Sequence, residues 1–108
     1  MLTLQFLKRK QSQIFLICKK FIFLFLYTLQ HEGPESRKVQ KEIARHYQNI
    51  RKFWGTEHSK DKQAAAYEGL GKLYVSDERF TTIDGKPQPE YALFLSKAMT
   101  YYAKTNLS

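Results

Sequence analysis

Ser36-Arg-Lys-Val-Gln-Lys-Glu-Ile-Ala-Arg-His-Tyr-Gln-Asn-Ile-Arg-Lys-Phe-Trp54 is the stretch that decides the fold class. On a helical wheel, Val39, Ile43, His46, Tyr47, Ile50, Phe53 and Trp54 share an arc of about 120°, while Lys38, Lys41, Arg45 and Lys52 gather opposite. One side is suited to a core and the other to water. The pattern predicts a helix from near Ser36 to Trp54, followed by the polar loop Gly55–Lys62.

The same period continues downstream. From Gln63 to Val75, the residues Ala66, Tyr67, Leu70, Leu73 and Tyr74 fall on one arc, and Glu68 and Lys72 point away. Ser76 or Asp77 is placed to cap a short fourth helix carrying Glu78, Arg79 and Phe80. Asp84-Gly85 has the residue types of a hairpin turn, but its flanks are a short run and a Pro-rich stretch, so a loop is expected. Pro89 suits the first turn of a last helix reaching about Ala103, with Tyr91, Phe94, Leu95, Ala98, Met99, Tyr101 and Tyr102 covering half of it.

Upstream, Ile14–Leu29 is apolar apart from Lys19, Lys20 and Thr28, and its apolar side chains surround the helix axis. The segment reads as a buried or partner-covered helix, ended by His31-Glu32-Gly33-Pro34. Its uninterrupted run, Phe21–Tyr27, is far shorter than the roughly 20 residues of a membrane span. Lys8-Arg9-Lys10 followed by Ile14–Cys18 begins like an export signal, but Lys19-Lys20 breaks the apolar core and no Ala-x-Ala site follows. The expected architecture is all-α: a small domain of about five helices, including an apolar N-terminal one. Residues 1–30 form an atypical basic segment and 31–108 the domain proper.

Totals narrow the function. A chain of 108 residues fits one core. Its net charge of +8 is uneven: residues 1–30 carry five Lys/Arg and no acid, whereas 31–108 carry 13 against 10. The domain proper is therefore only mildly basic, which weakens a nucleic-acid reading. One cysteine, Cys18, excludes an internal disulfide framework and points to a reducing cytoplasm.

No catalytic constellation assembles. Gly69-Leu70-Gly71-Lys72 has neither the spacing nor the trailing Ser/Thr of a phosphate loop. Glu42 and His46 lie four apart on one helix, but they make half a metal site, and His46 belongs to the apolar arc, where a buried, hydrogen-bonded histidine is the simpler reading. Cys18 and the serines have no evident base. The bases and aromatics of Arg45–Trp54 point in opposite directions, unlike those of a nucleic-acid binder. No enzyme, metal or cofactor is expected, and no direct nucleic-acid contact from this chain alone. What stands out is the density of rings with polar tips. Most belong to the core, but so many in one small helical domain also suit a groove for flat, apolar ligands.

Leu70-Gly71-Lys72-Leu73-Tyr74-Val75-Ser76-Asp77-Glu78-Arg79-Phe80-Thr81 resembles the central motif of the TipAS-type (thiostrepton-recognition) antibiotic-binding domain, found C-terminal in MerR-family regulators. The resemblance extends from about residue 25 to 105, through Gly33, His46-Tyr47, Ile50 and Phe53-Trp54 upstream and Ile83-Asp84, Pro89 and Tyr91–Ala98 downstream. It implies an all-helical, globin-like domain that closes around hydrophobic antibiotics such as thiopeptides, either switching transcription or sequestering the drug alone. In the resemblance, the segment before residue 30 is neither a winged helix nor the family's polar arm. Gly69 stands where the thiostrepton-responsive member has the cysteine that captures the drug, so reversible binding is implied. The residues expected to meet ligand are His46, Tyr47, Trp54, Tyr67, Leu70, Tyr74 and Phe94, with Asp77, Arg79 and Phe80 structural. The rival expectation is an interaction module whose 14–29 segment docks on a partner chain or pairs with itself, with membrane contact through the same segment as a further alternative.

Overall fold

The computed structural model describes residues 22–107. These are all-helical: α1 (22–28), α2 (Arg37–Trp54), α3 (Ala64–Ser76) and α4 (Pro89–Asn106), with single 3-10 turns at Gln30–Glu32 and Glu78–Phe80. The expected short fourth helix is thus a three-residue turn. The rest of the apolar segment, 14–21 with Cys18, lies outside the described residues, as do Lys8, Arg9 and Lys10.

α2 starts where the Ser36 hydroxyl accepts the Val39 amide, and it stops at Gly55, whose left-handed φ of 74° returns its amide to Arg51 and Lys52 carbonyls. Val39, Ile43, His46, Tyr47 and Ile50 are buried as the wheel requires. Phe53 is not: it is 54% exposed, although Arg51 and Trp54 of the same turn are buried or packed against the core. Glu42 and Arg51, expected in no core, are buried. Arg51 donates from its guanidinium to carbonyls of the following loop, Thr56 and Ser59.

α3 and α4 form the principal helix pair. Tyr67 meets Tyr102 while Gly71 meets Ser96 and Met99, so the two run antiparallel. The approach is closest at Gly71, where an added Cβ would stand 3.2 Å from Ser96 Cα. That closeness narrows the covered stripe of α3 to Tyr67, Gly71 and Tyr74, at spacings of four and three. Ala66 and Leu73, expected on the core arc, are left exposed. α4 buries Tyr91, Ala92, Phe94, Leu95, Ala98, Met99 and Ala103, and runs three residues past the expected end.

α1 lays Ile22 and Leu26 into the same core and turns Leu24, Phe25 and Tyr27 outward. Gln40 links the pieces by donating to both the Pro34 and Ala98 carbonyls. Asp84-Gly85 forms a two-residue turn after all. Both residues have positive φ, and Ile83 and Lys86 exchange backbone hydrogen bonds at 2.9 Å, one rung of a hairpin with no strands to extend it.

Candidate functional site

The aromatic residues converge on one histidine. His46 is 0% exposed, and so are Tyr67 and Tyr74. Its Nδ1 hydrogen-bonds the Tyr67 hydroxyl at 2.7 Å and its Nε2 the Tyr74 hydroxyl at 3.2 Å. An imidazole with one N–H and one lone pair can give to one hydroxyl and accept from the other, so both ring nitrogens are satisfied without water. Tyr67 also reaches the Ile43 carbonyl at 3.4 Å. Burial pushes the Tyr67 hydroxyl well above its ordinary pKa, with Tyr74, Tyr102 and Tyr47 adding to the shift. Burial likewise raises Tyr74 and Tyr91. These hydroxyls remain protonated donors and acceptors across the physiological range.

Phe23 of α1 closes the cluster. Its ring stacks on His46 (5.4 Å, 25°) and meets Tyr74 and Tyr91 edge-on at 5.5 and 6.5 Å. The Tyr91 hydroxyl donates to the Phe23 carbonyl, fastening α1 through its backbone. On the other flank, Tyr47 packs against Tyr67 and Tyr102 and donates to the Lys62 carbonyl at 2.8 Å. Arg51 in turn donates to the Tyr47 hydroxyl, tying the α2–α3 loop to the ring cluster.

Of the expected ligand residues, His46, Tyr67 and Tyr74 therefore meet directly, and Tyr47 adjoins them. Phe94 is buried beside Tyr91 (6.3 Å, 25°), while Trp54 and Leu70 are half-buried at the margin of the core. Phe23, Tyr91 and Arg51 belong to the arrangement and had not been expected there. Phe23 had no distinguishing signal, because the apolar side chains of its segment surround the helix axis. Arg51 gave none, because its partners are loop carbonyls that every residue carries.

Glu42 faces Arg45 at 3.4 Å. Among the described residues, no three His, Cys, Asp or Glu side chains come together. No helix among them is long and apolar enough to cross a membrane.

The motif after α3 has its own geometry. Asp77 accepts the Arg79 amide at 3.2 Å, capping the 3-10 turn, and receives Arg79 Nε and Nη2 at 2.9 and 2.6 Å. The Arg79 side-chain hydrogen bond holds the Asp77 carboxyl below its usual pKa and raises the guanidinium in return. Phe80 turns inward, 5.5 Å from Tyr74. An open depression of about 450 Å³ lies alongside, lined by Tyr74–Arg79, Thr81, Pro89 and Ala92.

A family model, the TipAS antibiotic-recognition domain, matches residues 19–102. The chain belongs to the TipAS family. No curated protein and no solved structure matches it. TipAS domains recognise antibiotics, a binding role rather than a catalytic one, and the match takes in α1 and the motif turn together.

Proposed function

We propose that this TipAS domain binds hydrophobic, ring-rich antibiotics, thiopeptide-like or of other multidrug classes, reversibly and in the cytoplasm. It serves either as the effector-binding part of a MerR-type regulator or as a stand-alone drug-binding protein. The observation that supports this most is the stacking of Phe23 on His46 above Tyr74 and Tyr91. An aromatic side chain already occupies a ring-shaped place there, and a ligand ring of similar shape can exchange for it at little net loss of stacking. In this reading Trp54 and Leu70 form the margin of entry, while His46, Tyr47, Tyr67, Tyr74 and Phe94 are reached as α1 swings aside. Gly69, exposed on α3, carries no nucleophile, so binding is non-covalent.

The test is titration of the full chain with a panel of thiopeptide and albicidin-like compounds, read by Trp54 fluorescence. Saturable quenching, reversed on dilution, is expected. A chain unresponsive to the whole panel refutes the reading.

A second reading is favoured by the outer face of α1, where Leu24, Phe25 and Tyr27 are 42%, 52% and 37% exposed. These side chains suit pairing with a partner chain through segment 14–29. Sedimentation of the full chain decides it: self-association abolished by Phe25→Asp supports pairing, and a monomer disfavours it.

A further inference from the structure

The exposed residues of α2 are Arg37, Lys38, Lys41, Arg45, Gln48, Lys52 and Phe53. On the wheel all but Phe53 lie within about 100°, so five cations and one amide form a single ridge that contains no acid. From Arg37 to Lys52 the ridge is about 22 Å long. Two of its cations meet a carboxylate at the flank. Lys38 is 3.9 Å from Glu32, and Arg45 is 3.4 Å from the buried Glu42, yet their side chains stay 73% and 69% exposed. Arg37, Lys41 and Lys52 make no ion pair among the described residues. The exposed acids Glu35 and Glu57 lie beyond the two ends of the helix.

This arrangement works against the helix that carries it. A solvated face gains from opposite charges three or four residues apart, but Arg37–Lys41, Lys38–Lys41 and Lys41–Arg45 are like-charged at those spacings. The first turn, where the macrodipole favours acids, has none and holds Arg37 and Lys38 instead. A polyanion laid along the ridge offsets both penalties.

Among polyanions, the face favours double-stranded DNA. The ridge has no aromatic ring on which an unpaired base could stack. It lacks the apolar centre that a protein interface seals. The apolar side of α2 is spent on the core, so the helix has nothing to sink into a bilayer. Cations about 6 Å apart in a straight row suit a rigid duplex, one strand of which carries a phosphate every 3.4 Å or so. The major groove of B-form DNA is open to a helix, whereas that of duplex RNA is too narrow for side chains to read. The expectation of no direct nucleic-acid contact rested on base stacking and on the total charge of the domain. A phosphate backbone requires neither.

We propose that the exposed ridge of α2 is a docking surface for the phosphate backbone of double-stranded DNA, bound without sequence preference. It lies on the side of α2 opposite His46 and does not depend on the antibiotic reading.

The probe is a fluorescein-labelled DNA duplex of about 20 base pairs, titrated with the full chain and read by anisotropy between about 50 and 200 mM salt. Micromolar binding is expected at the low end. It should weaken roughly 40- to 500-fold across the range, as three to five neutralised phosphates require. Lys41→Gln/Lys52→Gln should lower the log–log salt slope by about 2 and weaken binding on the order of tenfold. Its melting temperature should hold or rise, because like-charged neighbours are gone. A merely structural role would move the melt and spare the slope. Lys8→Gln/Arg9→Gln/Lys10→Gln controls for the other basic segment and should lose less than the α2 variant. Absence of saturable binding at low salt, a slope unchanged in the α2 variant, or a larger loss from the N-terminal variant overturns the proposal. So does tighter binding, at equal charge concentration, of duplex RNA, single-stranded DNA, polyglutamate or phosphatidylserine vesicles. Antibiotic quenching of Trp54 should persist in the α2 variant, so this proposal and the antibiotic reading fail separately.

Discussion

Tyr67→Phe removes one oxygen from the most enclosed part of the molecule. The lost hydroxyl hydrogen-bonds His46 Nδ1 at 2.7 Å, and His46 is 0% exposed. Shape is retained, so cavity terms are small, and the main cost is the loss of a buried hydrogen bond to the ring nitrogen. That cost is about 1–3 kcal/mol for a buried group. A fall of about 2 kcal/mol lowers the melting temperature of a domain this size by about 10 °C. His46→Leu removes the imidazole and leaves Tyr67 only its 3.4 Å contact to the Ile43 carbonyl. Once the imidazole is gone, deleting the Tyr67 hydroxyl should cost little. Chemical denaturation of the two single variants and the double variant therefore closes a cycle. The double variant should be more stable than additivity allows by about 1–2 kcal/mol. Two results would refute the reasoning: a loss for Tyr67→Phe below about 0.5 kcal/mol, or effects that add within the usual error of about 0.5 kcal/mol.

Burial raises the folded-state pKa of Tyr67, Tyr74 and Tyr91 above the unfolded value, so their contribution is intact below about pH 10 and is lost as pH rises beyond it. Stability should be flat through neutrality and then fall by about 1.4 kcal/mol per pH unit for each tyrosine, with tyrosinate absorbance appearing only on unfolding. The two glycines of α3 should respond oppositely. Gly69→Ala enters open space and should stabilise by about 0.5–1 kcal/mol, whereas Gly71→Val forces α3 from Ser96 and Met99 and should cost about 1–3 kcal/mol, both read by thermal melts. Arg51→Lys keeps the charge but cannot serve Tyr47, Thr56 and Ser59 at once. It should lower stability by about 1–2 kcal/mol and speed proteolysis within residues 56–62.

The helices of this domain were legible because their signals are local. Ser36 caps α2, Gly55 ends it, Pro89 opens α4, and the α2 arc buries from Val39 to Ile50 as its period demands. Periodicity failed where burial depends on what lies opposite. Phe53 has the right phase but is 54% exposed, and Leu73 lies beside a crossing so close that a glycine stands at its centre. The motif from Leu70 to Thr81 carried the family, and the family match agrees with it. The position of His46 in an apolar arc marked it as buried and bonded, but its two tyrosine partners, 21 and 28 residues away, were a matter of packing. Arg51 had no sequence signal, since its place is defined by main-chain carbonyls.

The latch between Tyr91 and α1 grips main chain, not side chain. Whatever residue occupies position 23 can present the same oxygen, so docking of the first helix does not depend on the phenyl ring that hangs from it. Anchorage and fit are thereby uncoupled. Variation at that one codon could retune how tightly the aromatic centre is stoppered, from methyl to indole, while the helix keeps its berth.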